Sequence, residues 1–178
     1  MAVTLPTIPP PLAARGIALR PRVEADQPFL AGLYRSTRWE ELEPTGWPDA
    51  TKVAFLDQQF TFQTAHYARA YPGAAHGVIL HHGAAAGRLI LDLLPPDDLR
   101  VVDITLLPAH RGQGIGTALF GLLFEMARAA GHGVSIHVET VNPARHLYRR
   151  LGFVEATDEG AVYLRMDWRP EGDQLKTA

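Results

Sequence analysis

Apolar positions change period along the chain, and the changes mark out its elements. Ile17 to Arg20 reads as a short strand. From Glu24 to Arg38 the apolar residues Phe29, Leu30, Leu33 and Tyr34 gather on one side of a helix, with acids early. Glu43-Pro44-Thr45-Gly46-Trp47-Pro48 breaks that helix. A second one runs from about Asp49 to Arg69, with Val53, Leu56, Phe60, Gln63 and Tyr67 at helical spacing. Strands are expected at His76 to His82 and Gly87 to Leu93, joined by a loose connection at Gly83-Ala84-Ala85-Ala86. Leu99 to Leu107 is dense in β-branched and apolar residues and reads as a buried central strand, which Pro108 stops. A long amphipathic helix follows, carried by Ile115, Leu119, Leu122, Leu123, Met126 and Ala130, with Gly131 and Gly133 as stops. A strand over 134–140, a short helix from Asn142, and strands near 153–157 and 161–168 complete the pattern. Asp158-Glu159-Gly160 is a hairpin turn. The order of elements predicts one mixed α/β layer over residues 17–169. A proline-rich leader, 1–16, is expected to be extended and mobile, and a polar tail, 170–178, to be frayed.

Composition narrows the classes. The chain has 178 residues, 47% of them hydrophobic, which suits one domain with a sizeable core. A net charge of −2 suggests neither a nucleic-acid partner nor a membrane surface. With no cysteine, disulfides, thiol catalysis and thiolate zinc sites are excluded. No run reaches the ~18 apolar residues of a membrane span, and the leader lacks the build of a secretion signal, so a cytoplasmic protein is expected.

Residues 99–131 carry the chemistry. After the central strand, Arg111-Gly112-Gln113-Gly114-Ile115-Gly116-Thr117 opens the long helix. Glycines at alternate positions let backbone come close to a ligand and turn several amides one way. The first amides of a helix lack internal partners, and its dipole places about half a positive charge there, so a phosphate or pyrophosphate is the expected guest. Arg111 adds a donor fork. The other reading of the same glycines is a tightly packed turn. A P-loop is excluded because no Lys follows the glycines, and a dinucleotide fingerprint because the third glycine comes one residue early.

Arg111-x-x-Gly114-x-Gly116, following a strand that ends Leu-Leu-Pro, resembles the acyl-CoA-binding motif of the GNAT superfamily of N-acyltransferases. Val134-Ser-Ile-His-Val-Glu-Thr, followed by Asn142-Pro-Ala-Arg-His-Leu-Tyr148-Arg-Arg-Leu-Gly152-Phe153, is similar to that family's next strand, short helix and Leu-Gly-Phe turn. The resemblance covers about residues 17–168 and is specific over 99–153. It implies a single GNAT-like domain of α/β (α+β) class, whose mixed, mostly antiparallel sheet is splayed at its middle strands and flanked by helices. The activity implied is acetyl transfer from acetyl-CoA to a primary amine, by direct attack in a ternary complex. The alternative is a protein of the same fold that senses acyl-CoA without turning it over. Acetyl-CoA is then the co-substrate and a small-molecule or peptide amine the acceptor. Dimers are common in the family, though no residue here specifies one.

Residue roles follow from the same resemblance. Pyrophosphate falls to the amides of Arg111, Gly112, Gln113, Gly114, Ile115, Gly116 and Thr117, and pantetheine to the backbone of Leu106 and Leu107. Tyr148 matches the tyrosine that hydrogen-bonds the CoA sulfur and acts as general acid; the other reading is a buried tyrosine packed on Leu147 and Leu151. Asn142 either contacts the cofactor or caps the short helix. Asp103 shares a strand face with Thr105 and is the candidate base, or else a strand-end acid satisfied by a neighbour. His137 and Glu139 share a face of the next strand and could line the cleft. His110 is expected to be solvated, and His81-His82 lack further metal ligands at suitable spacing, so no metal is expected. Trp39, Glu40, Glu41, Glu43, Trp47 and Asp49 either attract a cationic amine or form an ordinary loop with two anchoring indoles.

Overall fold

The computed structural model describes residues 3–94, 97–156 and 162–170. Seven strands form one sheet: β1 Ile17–Pro21, β2 Ala75–His81, β3 Ala84–Leu94, β4 Asp98–Leu106, β5 Gly133–Glu139, β6 Val154–Glu155 and β7 Tyr163–Trp168. Their order is β1-β2-β3-β4-β5-β7-β6, and every pairing is antiparallel except β4 with β5. The α-helices are α1 Pro10–Ala13, α2 Gln27–Arg38, α3 Asp49–Ala70, α4 Ile115–Ala130 and α5 Ala144–Arg150. Parallel neighbours need a crossover, and α4 supplies it between β4 and β5.

β4 and β5 pair only from Asp98↔Gly133 to Val101↔Ile136. The cause lies on the other side of β4. Leu91 pairs with Val101 and Ile90 with Asp103, so Val102 is the extra residue of a bulge. A bulge bends its strand and raises the local twist. Beyond it β4 leaves β5, and the sheet is open from Val102 to Leu106.

Alternation divides the sheet into two faces. Leu89, Leu91, Leu99, Val101, Val134, Ile136, Leu164 and Met166 turn to one side, where Ile115, Leu119, Phe120 and Leu123 of α4 close the core. The other face carries Arg88, Asp92, Asp98, Arg100 and Ser135, all buried. Helices α2 and α3 lie over this face. Phe60 of α3 sits beneath the Arg88 guanidinium at 5.9 Å, and Gln63 accepts a 2.6 Å hydrogen bond from Arg88 Nη2.

Four expectations need correcting. The connection between β2 and β3 is not a loose loop over 83–86. It is the two-residue turn His82-Gly83, with φ of 50° and 80°, and the alanines already belong to β3. Two left-handed residues are what the twist of a tight hairpin demands, and here one is a histidine. The leader does not run free. Val3, Ile8 and Leu12 pack against the core, Pro6 is buried, and α1 forms one turn. Its apolar residues recur between the prolines, and burying them holds the segment down. The first long helix begins as a 3-10 turn, Glu24–Asp26, and the short helix begins at Ala144 instead of Asn142. The Asp158-Glu159-Gly160 turn, most of the tail and the start of the leader lie outside the described residues.

Candidate active site

The turn after β4 is built as a helix start without a cap. Pro108–His110 makes a 3-10 turn, Gly112 and Gly114 take φ of 71° and 73°, and α4 begins at Ile115 with no side chain on its first amides. The N–H groups of Gly112 through Thr117 meet no protein acceptor among the described residues. The Arg111 amide differs from that expectation, since it donates to the Pro108 carbonyl at 3.2 Å. Its Nε donates to the Leu106 carbonyl at 2.9 Å, tying the turn to the open strand.

A second arginine stands at this turn. Arg15, at the end of the leader, donates to the Gln113 carbonyl at 3.3 Å, and a Cβ on Gly114 would lie 3.1 Å from its Nη2. The turn therefore has two guanidiniums, Arg15 from the leader and Arg111 from the turn itself, and only Arg111 was foreseen. A charged residue closing a proline-rich leader carries no signal by itself.

The open edge of β4 selects between the two leucines. The Leu107 N–H donates to Ala86 at 2.8 Å, and its carbonyl accepts from His110 at 2.9 Å, so its backbone is engaged. That bond makes Leu106↔Gly87 a pair whose backbone groups point away from β3. Leu106 and, two residues back, Ile104 turn their backbone groups to the gap. Leu107 does not, because alternation gives it to the ladder.

Tyr148 sits where α5 meets α4. It is 6% exposed, with Phe120 edge-on at 5.4 Å and Phe153 at 5.9 Å. The Leu-Gly-Phe turn explains the second contact. Gly152 takes φ of 90°, its N–H bonds Arg149, and the Phe153 N–H returns to the Tyr148 carbonyl at 3.0 Å. This is a Schellman ending, which folds the residue after the glycine onto the last helical turn. Burial, then the charge of Asp103, push the phenol pKa above its ordinary value, so it keeps its proton. At the other end of α5, Asn142 Oδ1 accepts the Ala144 N–H at 2.9 Å, which is a capping role. A Cβ on Gly116 would lie 3.8 Å from Leu147, which places α5 against the glycine turn.

Asp103 is not a free carboxylate. Arg88 Nη2 donates to its Oδ2 at 2.6 Å, Thr105 Oγ1 to its Oδ1 at 2.7 Å, and the Tyr67 hydroxyl approaches Oδ2 at 3.5 Å. Sequence reasoning foresaw Thr105 but not Arg88 or Tyr67. The signal for Arg88 was an arginine inside an otherwise apolar strand. Burial and then Asp103 raise the Tyr67 pKa.

The other candidates are placed as follows. Glu139 pairs with Arg38 at 2.5 Å and accepts the Tyr163 hydroxyl at 3.2 Å. His137 contacts Arg100, and its pKa is lowered by burial and then by that guanidinium. His81 meets His110 at 3.1 Å between Nδ1 atoms. Among the described residues no three His, Asp or Glu side chains gather as metal ligands. In the acidic stretch, Glu43 pairs with Lys52, whose ammonium lies 5.3 Å from the Trp39 ring, and Glu41 pairs with Arg38. Trp47 meets Phe55 edge-on at 5.5 Å. Glu41 and Glu43 are thus answered within the protein, while Glu40 and Asp49 are exposed with no ion-pair partner among the described residues.

A sheet opened between parallel strands, bare amides at a helix start and a buried phenol beside them come together at one end of β4. A sequence profile described as "Acetyltransferase (GNAT) family" matches residues 34–153, and the chain belongs to that family. The PaiA N-acetyltransferase of Thermoplasma acidophilum, in complex with coenzyme A, shares the fold with a TM-score of 0.63 at 13% identity, over 86% of this chain and 98% of that one. An acetyltransferase from Thermus thermophilus does so with a TM-score of 0.62 at 18% identity, over 86% and 96%. In sequence, a streptothricin acetyltransferase from Streptomyces lavendulae is 42% identical over 67 residues, or 36% of this chain. The match spans only 35% of that enzyme's length. No helix among the described residues is long and apolar enough to cross a membrane.

Proposed function

We propose that the protein transfers the acetyl group of acetyl-CoA to a primary amine by direct attack in a ternary complex. The observation that carries this reading is the row of partnerless amides from Gly112 to Thr117 at the start of α4. They receive the pyrophosphate, with Arg15 and Arg111 as flanking donors. The backbone groups of Ile104 and the N–H of Leu106, whose carbonyl already accepts from Arg111, receive the pantetheine arm as an added strand. The thioester then lies in the gap beside Tyr148. As the amine nitrogen bonds the carbonyl carbon and the carbon–sulfur bond breaks, the phenol gives its proton to the thiolate. Asp103 attracts the ammonium. With Arg88 and Thr105 already on its two oxygens, the amine's proton leaves through a water.

Two measurements test this. Coenzyme A and acetyl-CoA should raise the melting temperature in a concentration-dependent way, as a ligand selective for the folded state must. Thiol release from acetyl-CoA should appear with at least one member of an amine panel. Binding without release from any amine would assign the protein to acyl-CoA sensing. No thermal shift with either ligand would remove the turn as the pyrophosphate site.

A further inference from the structure

Beside the glycine turn, three histidines from separate segments gather. His81 ends β2, His82 opens the β2–β3 turn, and His110 closes the 3-10 turn that leads into Arg111. The Nδ1 atoms of His81 and His110 lie 3.1 Å apart with the rings nearly perpendicular, and the His81 and His82 ring centres are 4.2 Å apart. The leader closes the group. The His82 N–H donates to the Gly16 carbonyl at 2.8 Å, and Gly16 has no room for a Cβ beside the His82 ring. Arg15, one residue back, sends its guanidinium to the Gln113 carbonyl at 3.3 Å. No carboxylate pairs with any of these four side chains among the described residues. In a chain of net charge −2, four bases without an acid are a local exception.

His82 is also strained. Its φ of 50° is the only left-handed value outside glycine among the described residues. Asn or Gly would fill that place in a tight hairpin at lower cost, so the turn itself does not call for a histidine. Strain held at an ionisable residue points to a use for its ring.

Protons decide what the group can bind. Across the His81–His110 contact one Nδ1 donates and the other accepts, so both rings cannot be charged while the bond stands. Burial, then His82 and His110, lower the His81 pKa. The rings do not converge as metal ligands. A dianion would instead accept their N–H groups and draw a proton onto the exposed His82 ring. A phosphate monoester, with its second pKa at about 6, is such a dianion.

We propose that this cluster receives the 3′-phosphate on the ribose of coenzyme A, and that the protein thereby selects coenzyme A over its 3′-dephospho form. Apart from the pyrophosphate, the monoester is the one anionic group the cofactor carries. Arg15 links the two places: its guanidinium stands at the glycine turn, and the residue after it holds the His82 amide. The inference rests on that turn being the pyrophosphate site, and the test separates the two.

Coenzyme A and 3′-dephospho-coenzyme A are titrated calorimetrically into the wild type, His82→Asn, and His82→Asn combined with His110→Gln. Asparagine accepts a left-handed backbone, so the single variant keeps the hairpin. The wild type should bind coenzyme A about tenfold more tightly than the dephospho form, His82→Asn about threefold, and the double variant about twofold or less, as loss of charge-assisted bonds implies. Affinity for the dephospho form should change little across the three proteins. Should the double variant fail to fold, His82→Asn decides alone, since its ring is exposed. Equal affinity of the wild type for both ligands overturns the phosphate subsite while the pyrophosphate turn stands. A preference that survives the substitutions does the same, as does a parallel loss of both ligands, which would make the histidines a brace for the turn. If neither ligand binds the wild type, the turn is not the pyrophosphate site and the subsite falls with it.

Discussion

Tyr148 shows what one side chain owes to its surroundings. A phenol is a useful acid only while it holds its proton, and burial with Asp103 nearby pushes its pKa up, not down. Loss of that acid should therefore appear only above the ordinary phenol value of ~10, and kcat should show no basic limb from Tyr148 below it. Tyr148→Phe keeps the aromatic contacts with Phe120 and Phe153 and removes only the hydroxyl. We expect kcat to fall by about 10²-fold or less, with the thermal shift by coenzyme A unchanged. Unaltered turnover in steady-state assays would take the phenol out of the reaction. The place of Tyr148 in α5 was legible in the sequence because its motif is local, six residues beyond Asn142. Arg88 was not, because its partner Asp103 is 15 residues away and on another strand. The engagement of the Leu107 backbone was not legible for a related reason: which of two neighbouring residues faces a gap depends on strand register, and register depends on a partner.

At the scale of elements, the glycine turn joins three segments: the end of β4, the start of α4 and the leader. Gly114 has a left-handed φ, which costs other residues about 1–2 kcal/mol, and its missing Cβ leaves room for Arg15. Gly114→Val should abolish stabilisation by coenzyme A in a thermal-shift assay. A normal shift in that variant would move the pyrophosphate elsewhere. Arg15→Ala should weaken coenzyme A about fivefold, the order expected for one solvent-facing charge contact. Titration calorimetry would read this, and an unchanged affinity would make the leader arginine a purely structural contact. Helices and strands were legible wherever periodicity is local: β1 starts at Ile17, α4 at Ile115, and Gly131 ends α4 with the His132 N–H returning to Ala127. The leader was misjudged because prolines announce extension, whereas its docking depends on Val3, Ile8 and Leu12 finding a core formed later in the chain. The β2–β3 turn was misjudged because a histidine with positive φ has no sequence signature.

Across the whole molecule, ion pairs on the polar face fasten the helical layer and its approach to the sheet: Arg20–Asp26, Arg38–Glu139 and Arg88–Asp103. Bonds from Arg20 hold the Asp26 pKa near about 2, and those from Arg38 lower that of Glu139. A carboxyl whose folded pKa lies below its unfolded one adds stability above the unfolded value and loses it as pH falls through the folded one. Urea denaturation should therefore show stability declining from about pH 5 towards pH 2, and Asp26→Asn should flatten the lower part of that decline. A decline of equal slope in the variant would mean that other carboxyls carry it.

The Arg88–Asp103 pair allows a sharper separation, because its side chains are only 8% and 11% exposed. Removing one partner of a buried pair leaves an uncompensated charge and costs about 3–5 kcal/mol, whereas replacing both with apolar groups is often neutral. Asp103→Asn should thus destabilise the protein by about 3 kcal/mol, and Arg88→Met combined with Asp103→Leu should recover most of it. Activity then tells structure from chemistry. If Asp103 only balances Arg88, the stable double variant should turn over the amine about as fast as the wild type. If Asp103 also draws in the ammonium, the double variant should fold and bind coenzyme A yet release thiol at least about 10²-fold more slowly. Denaturation and thiol-release assays on one set of three proteins decide which role the carboxylate has.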